Sequence, residues 1–158
     1  MKKIGQIWIE TVLYTLIAIV LIGTVLAFVT PKIKQAQDRA AIEQSIAVLD
    51  LFDEKIEAVL QLQGNSRNID ITVKRGELYI NATKDEITLV ISDLEKPYSE
   101  PNVIIKRNRL SILSKKGQKD SEVYLSLNYS GKANITYNLN EGSKKFNPAP
   151  SPYRLTII

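Results

Sequence analysis

The 158-residue chain contains no cysteine and no histidine. Without cysteine no disulfide can form, so a domain placed outside the cell must be held together by its core alone. Without histidine neither a Ser-His-Asp nor a Cys-His constellation can be built, and the two commonest soft metal ligands are both missing. Glycine is also sparse, with seven residues, and none is grouped into a loop that could cradle phosphates. Acidic pairs such as Asp85-Glu86 fit solvated turns better than a calcium site or an acid–base pair. The expectation is a non-enzyme with no catalytic residue, no metal and no cofactor.

What the chain does have is one long apolar run, Ile7 to Val29, with Glu10 as its only charged side chain. About 23 residues at 1.5 Å per residue suffice to cross a hydrocarbon layer of roughly 30 Å as a helix. A secretory signal has a shorter core, about 7 to 15 residues, followed by small residues at a cleavage site, so loss of the whole segment is not expected. Lys2 and Lys3 precede the run and place that end in the cytoplasm by the positive-inside rule, although Lys32 and Lys34 follow on the far side. The expected location is a single-pass membrane protein with its C-terminal bulk outside. An ionisable group inside a span costs about 2.5–3.5 kcal/mol on insertion scales, so Glu10 calls for a function. The competing reading puts Glu10 at the headgroup boundary, with Trp8 and Tyr14 as interfacial aromatics.

The segment Lys3-Ile4-Gly5-Gln6-Ile7-Trp8-Ile9-Glu10, followed by the apolar run, resembles the class III signal peptide of archaeal type IV pilin-like proteins. The resemblance covers roughly the first 30 residues. It implies that a prepilin peptidase cuts on the cytoplasmic side between Gly5 and Gln6 and leaves the hydrophobic helix attached. Gln6 at the first mature position and Glu10 at the fifth match two of the three fixed positions of the pattern Gln-x-Ser-x-Glu. Trp8 stands where the pattern has serine, and Ile4 where a basic residue often precedes the glycine. The resemblance further implies that Glu10 meets the new amine of a neighbouring subunit and sets the register of packed helices, with sister subunits and a pilus assembly platform as partners and membrane lipid as the environment before assembly. Either charge left alone in a low-dielectric core would be costly, which makes such a pair selective. Gly5 lets an extended backbone approach a protease closely. Gly23 and Ala27 form a small-xxx-small pair that suits close helix contact.

Pro31 removes one backbone donor and predicts a kink or a locally unwound stretch over Ala27 to Pro31. Helical periodicity resumes beyond it through Ile33, Ala36, Ala40, Ile42, Ile46, Leu49, Ile56 and Leu60. One helix from Gln6 to about Gln63 results, near 87 Å if straight at about 1.5 Å per residue, its second half docking an apolar stripe on the following domain. Gly64-Asn65-Ser66 stops it. The period then turns to two: Ile69, Ile71 and Val73; a turn at Arg75-Gly76; Leu78 and Ile80; Ile87, Leu89 and Ile91; Val103 to Ile105 and Leu110 to Leu113 after a loop at Pro97 to Pro101; Val123 to Tyr129; Ile135, Tyr137 and Leu139; and Leu155 to Ile158 after a loop at Asn140 to Pro152. The expected fold is α+β: a long N-terminal helix, transmembrane then amphipathic, before a small antiparallel β-sheet or β-sandwich domain. The expected divisions are a cleavable leader at 1–5, a transmembrane or filament-core helix at 6–30, its amphipathic continuation at 31–63 and an extracytoplasmic β domain at 64–158.

The formal charge of +4 falls to about +2 if Lys2 and Lys3 are removed. Lys106, Arg107 and Arg109 make the densest basic group, with Lys115, Lys116 and Lys119 in a following turn. Lysines on exposed strand edges discourage unwanted pairing, and no aromatic interleaving points to nucleic acid, which is not an expected partner. Three N-x-S/T sequons begin at Asn81, Asn128 and Asn134 and are candidate glycan acceptors if the domain is outside. Two functions compete. One is a structural subunit of a pilus-like surface filament, engaged in cell adhesion or another surface role. The other is a monomeric binding or scaffold module tethered by an uncleaved anchor, which has no need of Gly5-Gln6 with Glu10.

Overall fold

Among the described residues one unbroken helix, α1 (Lys2–Leu60), is followed by eight strands: β1 (Arg67–Ile71), β2 (Glu77–Asn81), β3 (Glu86–Leu94), β4 (Ile104–Arg107), β5 (Leu110–Lys116), β6 (Ser121–Asn128), β7 (Ser143–Phe146) and β8 (Tyr153–Ile157). The computed structural model describes residues 2–61, 66–139 and 142–158, with side chains from Ile7 onward. The expected α+β class, a long helix before antiparallel sheet, is what the chain adopts. It divides into two units, Met1–Ala36 and Gln37–Ile158.

The first unit is helix alone. Pro31 lies inside α1 without interrupting it, so no unwound stretch over Ala27 to Pro31 is present. Pro31 forfeits only its own bond to the Ala27 carbonyl, while in the preceding turn the Thr30 hydroxyl donates to the Leu26 carbonyl at 2.7 Å. The expected helix stop at Gln63, Gly64 and Asn65 lies outside the described residues.

In the second unit, Ile42, Ile46, Leu49, Phe52 and Ile56 are buried, at spacings of three and four that align them on one helix face. Ile33 and Leu60, expected in this stripe, are exposed at 52% and 42%, and Phe52 takes part instead. The stripe belongs to one core cluster with the inner face of a six-stranded antiparallel sheet of order β4-β5-β6-β3-β2-β7. Register carries an apolar row across all six strands: Ile105, Ile112, Leu125, Leu89, Leu78 and Phe146. Ile105, on the edge strand, is exposed; burying each of the other five contributes about 1.5–3 kcal/mol. The opposite face is half-exposed and mixed in polarity, as expected of an antiparallel sheet covered on one side. A separate two-stranded antiparallel sheet, β1 with β8, adds Ile69 and Ile71 to the core.

The seventh strand is not where the alternation of Ile135, Tyr137 and Leu139 puts it. Those residues form no strand, and β7 instead falls within the expected loop, at Ser143–Phe146. Asn138 and Leu139 have positive φ, 51° and 61°, which an extended strand does not allow. The Ile135 N–H is also taken by the Asp85 carboxylate at 2.9 Å rather than by a strand. Ser130-Gly131-Lys132 turns the chain out of β6 without making a hairpin. A second irregularity is productive: β3 shifts register between Ile91 and Leu94, with Asp93 at φ 55°. This bulge returns Leu94 to the core after two exposed residues.

Two glycines with positive φ separate backbone strain from steric closeness. Gly76, at φ +84°, would place a Cβ 2.3 Å from the Val90 carbonyl oxygen, whereas Gly131, at φ +76°, faces open space. Gly131→Ala is expected to cost about 1 kcal/mol, and Gly76→Ala at least about 3 kcal/mol. Urea unfolding of the detergent-solubilised chain checks this, and equal losses would refute the close approach of Gly76 to β3.

Candidate functional site

The residues from Ile7 to Val29 make the first unit the chain's most conspicuous surface. Mean hydropathy reaches 2.7 in its most apolar 18-residue stretch, none of which is buried, and it is the one described helix long and apolar enough to cross a membrane. Trp8, Tyr14 and Phe28 are exposed at 72%, 69% and 73%. The hydroxyls of Thr11, Thr15 and Thr24 donate to the carbonyls of Ile7, Thr11 and Val20 at 2.8–2.9 Å. These groups are therefore satisfied within the helix, as an apolar medium requires.

Glu10 differs from the threonines. It is exposed, and among the described residues no hydrogen-bond or ion-pair partner reaches it. The helix places it one turn after residue 6 and one turn before Leu13 and Tyr14. A Cβ at Gly23 would meet nothing within 4 Å, so the small-residue pair with Ala27 leaves backbone open to a neighbour. Side chains at the expected cleavage junction, Gly5 and Gln6, lie outside the described residues.

Polar groups of the second unit, by contrast, are largely spent on one another. Asp38, 5% exposed, pairs with the Arg75 guanidinium through Oδ1 and accepts the Glu95 N–H at 2.9 Å through Oδ2. Arg75 also donates to the Asp93 carbonyl at 3.0 Å, the group turned outward by the β3 bulge. Further along the helix, Tyr98 donates to Glu43 at 2.8 Å, Arg107 pairs with Asp50 at 3.6 Å, and Arg109 pairs with Asp53 at 3.6 Å and with Glu57. Arg109 also lies 5.4 Å from the centre of the Tyr129 ring. Two of the three residues in the densest basic group thus face helix carboxylates. The seam was visible in the sequence only as Asp38, Asp50, Asp53 and Glu57 on a helix, with no sign of their partners.

The outer sheet face carries a repeated arrangement. Tyr79 and Tyr124 each donate a hydroxyl to the glutamate two residues earlier, Glu77 and Glu122. A lysine from a neighbouring strand stands over each ring: Lys145 at 5.7 Å and Lys115 at 4.5 Å from the centroids. Hydrogen bonding from Lys145 and then Tyr79 holds the Glu77 carboxyl below its ordinary pKa. At the sheet edge all four β4 residues are exposed, with Val103 beside them.

Of the sequon asparagines, Asn81 caps the 3-10 turn Ala82–Lys84, accepting the Lys84 N–H at 3.3 Å. Asn128 accepts the Ser130 N–H at 2.9 Å. Asn134 is exposed outside any strand.

No family model, characterised protein or solved structure matches the chain. The geometry therefore carries the functional argument by itself.

Tyr129 offers a test of the helix–sheet seam. Its ring is fully buried and its hydroxyl donates to Asp53 at 2.7 Å. Burial, then the Asp53 hydrogen bond and charge, pushes its pKa well above the ordinary phenol range. Above about pH 10 the unfolded chain binds fewer protons than the folded one. This contribution to stability is therefore complete below that pH and is lost as pH rises further. Tyr129→Phe is expected to cost about 1.5–3 kcal/mol at neutral pH and to flatten the alkaline decline in urea unfolding. Some slope remains, because Tyr79, Tyr98 and Tyr124 are raised too. An unaltered slope would refute a buried, carboxylate-bound phenol.

Proposed function

We propose that this chain is a structural subunit of a type IV pilus-like surface filament, of the archaeal kind, inserted in the membrane through α1 before assembly. The observation that carries this reading is the exposed apolar face around Glu10, the one charge in it, which has no partner among the described residues. An anchor needs apolarity alone, and a carboxylate in the span weakens it. A bundle of sister helices uses the carboxylate, because an α-amine created at Gln6 by prepilin peptidase supplies the opposite charge near the start of the neighbouring helix. Pairing is then selective, since any register that separates the two leaves a charge buried and alone. In this reading 1–5 is the leader, and the second unit stands outside the membrane on the filament surface.

The reading makes the second unit a coat. Its core is closed by its own helix segment, so the strand domain has no need of a neighbour for stability. Contacts between copies would fall to the first unit, where apolar side chains and the open Gly23 backbone await partners.

Two measurements test the proposal. The N-terminal peptide recovered from the native membrane or surface fraction is expected to begin at Gln6, and an intact Met1 or Lys2 start would favour an anchored monomer. Glu10→Ala, with the leader intact, is expected to leave the chain folded in the membrane while filament yield falls by at least about tenfold. Unchanged yield would remove Glu10 from assembly.

A further inference from the structure

Register brings two of the three sequons to one end of the sheet. Asn128 and Asn81 both pair with Glu86, on either side of it, at the first residue of β3. Asn134 lies beside them, since Asp85 binds the Ile135 N–H at 2.9 Å through its carboxylate and the Tyr129 N–H at 2.8 Å through its carbonyl. The other end of β3 is where Asp38 of α1 holds Arg75 and the Glu95 N–H. The sequons therefore gather at the end of β3 opposite the Asp38–Arg75 pair.

The three differ in how far a folded chain can present them. A glycosyl transferase must draw asparagine and the residue two positions on into its own site, in a conformation set by the enzyme. At Asn81 the backbone is held between β3 and β7, the next residue, Ala82, is buried, and Lys84 is capped by the Asn81 side chain. At Asn128 the middle residue is Tyr129, fully buried and bonded to Asp53, so withdrawing the sequon would pull this ring from the core. At Asn134 the asparagine and Thr136 are both exposed, Ile135 is only half-buried, and the segment belongs to no strand. It is tied by the Ile135 N–H to Asp85 and by Ile135 and Tyr137 packed against the core, while the Asn134 and Thr136 side chains themselves stay exposed.

We propose that Asn134 is the acceptor of an N-linked glycan added to the folded second unit, and that Asn81 and Asn128 are not acceptors. The inference rests on the extracytoplasmic placement of this unit in the proposed function. The co-substrate is an oligosaccharide carried on a lipid phosphate. Asn134 Nδ2 bonds to the anomeric carbon, the bond from that carbon to the phosphate oxygen breaks, and the lipid phosphate leaves with the electron pair. The Nδ2 proton passes to a base of the transferase, so nothing is oxidised or reduced. The product places a hydrophilic chain at the end of the sheet opposite Asp38, on an asparagine that is already exposed.

Peptide mapping by mass spectrometry of the protein from its native surface fraction tests this. The expected result is a glycan mass on the peptide containing Asn134, bare peptides for Asn81 and Asn128, and loss of the added mass in both Asn134→Gln and Thr136→Ala. A bare Asn134, or comparable occupancy at Asn81 or Asn128, would overturn the proposal; the latter would mean modification before folding. The same digest reads the N-terminus. A Gln6 start with bare Asn134 refutes this inference alone, and a Met1 start with glycosylated Asn134 refutes the filament reading alone.

Discussion

The second unit depends on one contact: the stripe of Ile42, Ile46, Leu49, Phe52 and Ile56 in a shared core with the inner face of the six-stranded sheet. An antiparallel sheet with one covered face commits every strand to a parity, because a slip of one residue would send its whole apolar set to solvent. Here the committed set is wide. The row from Ile105 to Phe146 crosses all six strands without a polar residue. Where parity would have failed, at Ser92 and Asp93, the bulge in β3 restores it, so Leu94 is fully buried. The carbonyl freed by the bulge is not left to water but bonds Arg75. One local irregularity therefore serves both packing and the polar tie that fixes the start of the docked helix segment.

Polar ties along the helix set direction more than they add stability. Partly exposed ion pairs such as Arg107 with Asp50 contribute little, because solvent screens them and long side chains lose freedom. The pair of buried Asp38 and half-buried Arg75 gains little over an apolar pair of equal shape, yet removing Arg75 strands the buried carboxylate. Their joint effect is to allow one placement of the helix: Asp38 at the bulge, Asp53 and Glu57 at Arg109, with Tyr129 beneath. A helix shifted by one turn would keep much of its apolar burial and lose these pairings. This also changes the meaning of the charge pattern, since a basic group read along the chain as surface becomes, in space, the counterpart of helix acids.

Much of the architecture was legible because simple periods encode it. The apolar run, the return of helical spacing after Pro31 and the alternation from Ile69 to Tyr129 each map onto an observed element. Legibility failed where conformation is set by something other than period. Ile135, Tyr137 and Leu139 alternate well, but positive φ at Asn138 and Leu139 and the tie to Asp85 keep the segment from forming a strand, leaving Tyr137 a single bridge. Ser143–Phe146 became a strand with only Phe146 buried, so its pattern had little to show, and pairing with β2 rather than hydrophobicity defines it. Glu10 stood out in the sequence because one charge among apolar residues needs no fold to be noticed. The partners of Asp38 and Asp53 did not, because they are 37 and 76 residues away along the chain.

The two ends of α1 answer to different solvents. From Ile42 to Ile56 an apolar stripe on one face is buried in a core shared with the chain's own sheet. From Ile7 to Val29 they surround the helix and nothing in the described chain covers them. Lipid alone would satisfy such a surface, but lipid gives no return for Glu10 and none for an open Gly23 backbone. In the proposed filament both features would gain value: another helix could approach along Gly23, and another chain's amine could neutralise the carboxylate. On the proposed function, a helix whose second half is closed by its own domain would leave a bilayer for a bundle of copies of its first half. In such a bundle the β domains need contribute no more than a soluble outer layer.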